Sequence, residues 1–353
     1  MSAVGGLRGV LEAARALRAA GQRFALALVT DTEGSTYRKA GALAVVADDG
    51  ARTGTISGGC LEPALVLLCQ QVIADGRAGH TVFDTRGDDD LLFGSGSGCR
   101  GRMRVVAWPL PGAGDGLLDA LLAADADGRA LALTVSFDAG TPAWRLADHE
   151  EGTAGRPGLA NREGRSVGIS GRGDSEGDTG NLRATDPLAT AASDDIALRI
   201  APVPRVRLLG AGPEAAPLLA LGQALGWHLR ITDHREGLLA DARIPADVPR
   251  QALRPAAALA AARPDDAVLV MTHLASADLE ALRALAPLPV PYVGLLGPPG
   301  RRDELLAMLT DAERAALQPR LRAPVGLFLG GDGPEAIALA IAADLQRHFH
   351  AKP

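Results

Sequence analysis

Apolar residues along the chain fall into two repeats, one at helical spacing and one in short continuous runs. Leu7, Val10, Leu11, Ala14 and Leu17 recur on one helical face and predict a helix over 7–20, stopped by Gly21. Phe24 to Thr30 is a short apolar run that reads as a strand, and the polar, glycine-marked stretch 31–41 reads as a loop. Ala42 to Ala47, turned by Asp48-Asp49-Gly50, predicts a hairpin that feeds into Gly54-Thr55-Ile56-Ser57-Gly58-Gly59-Cys60-Leu61-Glu62. Leu61, Leu65, Leu68 and Val72 then predict a helix to about Asp75, with Pro63 in its first turn. Strands are expected at 81–85 and 103–108, separated by a second glycine-bearing stretch, 87–101. Two long loops, each ending in a cysteine, thus decorate one α/β unit, and a compact domain rarely spends so much irregular chain without a use for it.

Residues 110–200 have a different texture. A helix over 117–123 and strands over 130–137, 143–147 and 196–200 are expected, while 150–193 is Gly, Arg, Asp, Ser and Thr with almost no apolar pattern and reads as a flexible insertion. From 205 the order is strand, glycine turn, helix, strand. Arg205 to Leu209 opens on Gly210-Ala211-Gly212-Pro213-Glu214-Ala215, and a helix runs to about Gly226. The strand His228 to Thr232 ends at Asp233. In such a βαβ unit the glycine turn places a phosphate on a helix N-terminus, and the acid meets a ribose hydroxyl. Further strands are expected over 267–271, ending at Thr272-His273, and over 290–296, with helices over 278–285, 303–310 and 336–348. The class is α/β: an N-terminal α/β domain with glycine-rich loops (1–110), a connecting segment (111–203) and a C-terminal Rossmann-like parallel-sheet domain (204–353).

Composition narrows the function. A formal charge of -6 and only 3% aromatic residues give no basic face and no stacking platform for nucleic acid. The three cysteines, Cys60, Cys69 and Cys99, contain no CxxC pair, which argues against a disulfide scaffold or a zinc ribbon. No apolar run approaches a membrane span and the N-terminus lacks a secretory profile, so a cytoplasmic protein with reduced thiols is expected. The run Asp88-Asp89-Asp90 reads as a solvated turn, not a metal site.

The candidate chemistry sits on the loops. Gly58 and Gly59 let the backbone approach a ligand, and Cys60, read at the start of a helix, lies in a field that favours the nucleophilic, metal-binding thiolate. Cys69, inside an apolar helix, reads as core. Glu62 reads either as a ligand contact or as a first-turn acid, and His273 ends a strand where open α/β sheets bind ligands.

With these residues in view the chain resembles the xanthine dehydrogenase accessory protein family of XdhC/CoxI type. The likeness is carried by Gly34-Ser35-Thr36-Tyr37-Arg38-Lys39-Ala40-Gly41-Ala42, by Gly54 to Glu62, by Asp84-Thr85-Arg86 and by Phe93-Gly94-Ser95-Gly96. In the C-terminal half it is carried by Gly210-Ala211-Gly212, Met271-Thr272-His273, Tyr292 to Gly297 and Ala323 to Leu327. The resemblance implies binding of molybdenum cofactor (molybdopterin), its sulfuration with a cysteine desulfurase, and delivery to a client molybdoenzyme of the xanthine dehydrogenase or CO dehydrogenase type. A homodimer is a family-level expectation. Cys60 and Cys99 would then carry the chemistry. Ser35, Arg38, Ser57, Gly58, Gly59, Glu62 and Arg86, with Gly210, Gly212, Asp233 and His273, would contact the cofactor. Where the family reads Gly-Cys-Gly-Gly at its second cysteine, this chain has Gly98-Cys99-Arg100-Gly101. Two other readings stay open, an NAD(P)-dependent oxidoreductase and a nucleotide-sensing module, both using the Rossmann-like domain alone.

Overall fold

The computed structural model describes residues 4–86, 100–138, 140–146 and 195–351. Cys99, the Asp88-Asp89-Asp90 run and the segment 150–193 lie outside the described residues.

Helix α1 (Gly6–Ala19) leads into β1 (Phe24–Gly34), the hairpin β2 (Leu43–Ala47) and β3 (Arg52–Thr53), helix α2 (Glu62–Asp75), β4 (Gly79–Asp84) and β5 (Gly101–Leu110). The five strands make one sheet in the order β3-β2-β1-β5-β4, antiparallel at each pairing. The strand expected to end at Thr30 runs on to Gly34, because β5 continues to pair with it past a bulge between Val29 and Asp31. One face of the sheet buries Leu26, Leu28 and Trp108, and the other buries Ala25, Val29 and Val105 against Leu65, Cys69 and Val72 of α2. A strand buried on both faces reads as the continuous apolar run seen in the sequence.

The described parts of 111–203 are not a mere connector. Helix α3 (Asp115–Asp127) and the three-stranded sheet β7-β6-β8 (β6 Leu131–Asp138, β7 Thr141–Leu146, β8 Ile196–Ile200) close over the first sheet. Leu117, Leu118, Leu121, Leu133 and Val135 join Phe24, Leu26 and Trp108 in one buried cluster, so the described parts of 111–203 belong to the N-terminal core. The amphipathic spacing was legible there, but which sheet it covers depends on the tertiary fold.

The C-terminal part begins with β9 (Arg205–Leu209), α4 (Ala215–Ala224), β10 (His228–Thr232), α5 (Glu236–Leu239), β11 (Arg250–Gln251), α6 (Pro255–Leu259) and β12 (Asp266–Val270). It continues with α7 (Ala275–Leu285), β13 (Tyr292–Leu295), α8 (Pro299–Ala307), α9 (Asp311–Leu317), β14 (Leu321–Arg322) and α10 (Pro334–Phe349). All pairings are parallel, in the order β11-β10-β9-β12-β13-β14, which in strand sequence is 3-2-1-4-5-6, the Rossmann order. The chain reverses direction across the sheet between β9 and β12, so the glycine turn after β9 and Thr272-His273 after β12 face each other at the switch point. The two halves touch through α1 and α3: Gly5 N–H donates to the Gln223 carbonyl, Arg8 Nη1 donates to the Trp227 carbonyl at 2.7 Å, and Asp125 of α3 lies 2.9 Å from His228 Nε2.

Candidate functional site

Of the expected N-terminal residues, Ser35, Ser57 and Cys60 meet at a pocket where β1 and β4 end and β5 begins. Gly34 (φ 69) turns the chain out of β1, and Ser35 N–H donates to the Arg100 carbonyl at 3.1 Å. Gly101 has no room for a Cβ, which would stand 2.5 Å from the Ser35 carbonyl oxygen and 2.6 Å from the Thr36 methyl. Thr85 locks Gly101 from the other side, its N–H donating to the Gly101 carbonyl at 2.9 Å. The loop 54–61 folds over this junction, and Ser35, Thr36, Tyr37, Ser57, Cys60 and Thr85 line a shallow pocket. Its floor is apolar, formed by Ile56, Leu61, Phe83 and Met103.

Cys60 is exposed, and α2 begins at Glu62 with Leu61 as the capping position, so the thiol stands in the turn ahead of the helix. Ser57 and Glu62, both buried, hold that turn. Glu62 Oε1 accepts from the N–H groups of Ser57 (3.0 Å) and Ile56 (3.3 Å), and Oε2 accepts from the Ser57 hydroxyl. The Ser57 oxygen in turn accepts the N–H groups of Gly59 and Leu61, each at 3.1 Å. Arg52 Nη1 lies 3.1 Å from Glu62 Oε1. Burial alone would raise the Glu62 carboxyl, but the bonds from Ser57 and the charge of Arg52 outweigh it and hold it below the ordinary range. The buried carboxylate therefore organises the loop from beneath and is not among the residues that line the pocket.

Among the described residues, the N–H groups of Gly58 and Cys60 have no acceptor, and Tyr37 lies beside Gly58, 3.7 Å from where a Cβ would stand. Arg38, half-buried on the same loop as Ser35, makes no ion pair or hydrogen bond among the described residues. Arg86 is committed: its guanidinium binds Asp84 (2.6 and 2.8 Å) and Glu33 (2.9 Å). Cys69 is fully buried, and burial pushes its thiol up to about 12. Arg52 gave no signal in the sequence, because its partner Glu62 lies on the far side of the loop 54–61.

Gly210, Gly212, Asp233 and His273 form a second cluster at the switch point of the parallel sheet. Gly210 (φ 120) passes so close to β12 that a Cβ would stand 2.2 Å from the Met271 carbonyl oxygen. Asp233 is buried, and its Oδ2 accepts the Ala211 N–H at 2.9 Å. Both its oxygens also bind the Arg235 guanidinium, at 2.9 and 2.8 Å. Burial opposes ionisation of Asp233, yet Arg235 and the N–H donors hold its carboxyl below the ordinary range. The His273 ring covers Gly212, with Nε2 3.0 Å from Glu214 Oε2, and His273 itself has a positive φ of 60. Asp233, expected to meet a ribose, is thus spent on the glycine turn and Arg235. Glu214 sets a carboxylate beside Gly212, where a phosphate would otherwise lie. Among the described residues no three metal-ligating side chains cluster, and no helix is long and apolar enough to cross a membrane.

Two family models match this chain, the XdhC and CoxI family over residues 17–84 and the XdhC Rossmann domain over 206–345. The chain belongs to the XdhC and CoxI family. The first match ends at Asp84 and includes the whole Ser57–Glu62 turn, and the second includes the glycine turn and His273. A Bacillus subtilis protein described as a probable subunit of xanthine dehydrogenase is 28% identical over 322 residues, 91% of each chain. The uncharacterized protein YqeB of Escherichia coli is 32% identical over 148 residues, covering 40% of this chain and 27% of its own. A crystal structure from Bacillus halodurans titled a xanthine dehydrogenase superposes with a TM-score of 0.72 at 27% identity, covering 100% of this chain and 97% of its own.

Proposed function

We propose that this XdhC-type accessory protein holds a molybdopterin-type cofactor at the Cys60 loop and passes it to a partner enzyme of the xanthine dehydrogenase class. The observation that carries this reading is the exposed Cys60 thiol in a turn fixed from below by Ser57 and Glu62, beside N–H groups that have no acceptor among the described residues. The cargo is an anionic pterin with a phosphate and a metal held by sulfur. Free backbone N–H groups and the unpaired Arg38 suit its oxygens, and the Cys60 sulfur suits a soft metal. The apolar floor of Ile56, Phe83 and Met103 suits a flat ring system, and Ser35 and Thr36 line the same pocket. A cysteine desulfurase as sulfur source and a homodimeric state complete the proposal and rest on the family resemblance. A reading as an NAD(P)-dependent oxidoreductase is weaker, because Asp233 is already bound to Ala211 and Arg235 and the His273–Glu214 pair covers Gly212.

The test is pterin fluorescence after oxidative release from protein incubated with molybdenum cofactor. Near-stoichiometric pterin in the wild type that drops in Cys60→Ala, but not in Cys69→Ala, is the expected result. No retained pterin in the wild type would refute the proposal.

A further inference from the structure

The parallel sheet carries charge on a face that should be apolar. Leu229 and Ile231 of β10 point into the core beneath α4 and α10, and His228 and Arg230 alternate to the other face. There they stand in register beside Arg205 and Arg207 of β9. Strands of a parallel sheet are normally apolar on both faces, so four cationic or titratable side chains at the start of two neighbouring strands call for a reason.

Three of these four have partners. Arg207 binds Asp266 at 3.0 and 3.2 Å and the carbonyls of Ala258 and Ala261. Arg205 Nε lies 2.9 Å from Asp265, and His228 Nε2 lies 2.9 Å from Asp125 of α3. The guanidinium of Arg230, a half-buried residue, has no ion pair and no hydrogen bond among the described residues. It opens on a cavity of about 200 Å³ between α1 and the parallel sheet. Arg8, Arg205, Arg207 and Arg263 line the same cavity, against only two carboxylates, Asp247 and Asp266. Glu12, Asp125 and Asp265, which pair with Arg8, with His228 and with Arg205 and Arg263, lie outside the lining. Within it Asp247 stands 3.7 Å from Arg8 Nη2, so Arg230 is left without a counter-charge.

A guanidinium beside other guanidiniums in a partly desolvated cleft is stabilised by an anion, and its planar fork suits the oxygens of phosphate. We propose that this cavity binds a small phosphate-bearing anion, with Arg230 as the main contact and Arg8 as a flanking donor from the N-terminal domain. The site lies at the strands' amino ends, away from the switch point, and is independent of the Cys60 pocket. Because Arg8 also donates to the Trp227 carbonyl across the junction, an occupied site would tie α1 to the parallel sheet.

Calorimetric titration of the full chain at constant ionic strength tests this, with inorganic phosphate as one probe and adenosine monophosphate as the other. Saturable binding of either supports the site. Tighter binding of phosphate points to the free ion, and tighter binding of the monophosphate points to a phosphate carried on a larger molecule. Arg230→Gln should weaken binding at least about tenfold, and Arg230→Lys, which keeps the charge without the fork, by less. Cys60→Ala should bind as the wild type does. Absence of saturable binding, equal binding by wild type and both Arg230 variants, or loss of binding in Cys60→Ala would each overturn the assignment.

Discussion

Replacing Glu62 by Gln tests how the Cys60 loop is held, because it removes a charge while preserving the side chain's volume. Three hydrogen-bond donors and one cation converge on this carboxylate: the N–H groups of Ile56 and Ser57, the Ser57 hydroxyl, and the Arg52 guanidinium as an ion pair. A glutamine offers one carbonyl oxygen to this cluster and turns its amide NH2 toward a donor. The Ser57 oxygen cannot take up that NH2 readily, since it already accepts from Gly59 and Leu61. Bonds to a charged group are worth roughly 1.5–3 kcal/mol against 0.5–1.5 kcal/mol for neutral ones, and a buried unpaired donor costs about 1–3 kcal/mol. Two weakened bonds and one orphaned amide give an expected loss of about 3 kcal/mol. Urea denaturation of wild type and Glu62→Gln, followed through the buried Trp108, measures it. The pH dependence carries the sign. Glu62 titrates below its ordinary value of 4.5 in the folded protein, so its contribution is fully present above about 4.5 and is lost as pH falls through the lower folded value. The stability gap should be flat between about pH 7 and 5 and close in acid. A gap under about 0.5 kcal/mol, or one that persists unchanged in acid, would refute the reasoning.

Thiol accessibility gives a second test: in a Cys99→Ser background, Cys60 should react with an aromatic disulfide at once. Cys69, fully buried with its thiol near 12, should react only on unfolding, and early labelling of Cys69 would contradict its placement. The two glycines of the C-terminal turn should differ sharply. Gly210→Ala drives a Cβ to 2.2 Å from a backbone carbonyl oxygen at φ 120 and should cost at least about 3 kcal/mol. Gly212→Ala meets the movable His273 ring at 2.5 Å and should cost about 1–3 kcal/mol, so equal thermal shifts for the two would argue against this packing. Asp233→Asn leaves Arg235 and the Ala211 N–H without their charged acceptor. It should destabilise the C-terminal domain by about 2–4 kcal/mol at neutral pH in calorimetry, less in acid, because Asp233 titrates below its ordinary value.

Much of this chain was written into local pattern. The helical spacing of Leu7 to Leu17, the apolar strand from Phe24 and the strand–glycine turn–helix at Leu209 to Ala215 are properties of neighbouring residues, and the structure bears them out. The Ser57-Gly58-Gly59-Cys60 turn was legible for the same reason, since glycine and proline punctuate backbone conformation by their own stereochemistry. What the sequence could not determine is pairing at a distance. That Glu62 faces down onto Ser57 and Arg52, that Asp233 is spent on Ala211 and Arg235, and that Glu214 meets the His273 ring over Gly212 depend on which loops the sheets bring together. The same holds for 111–203, whose apolar residues fitted a helix and strands but whose partner was decided only when α3 and β6 closed over Phe24 and Trp108. Periodicity sets which face of an element is buried. The surface that buries it, and the charge that meets each charge, are set by contacts between residues far apart in the chain, whose closing cost must be met by the whole core together.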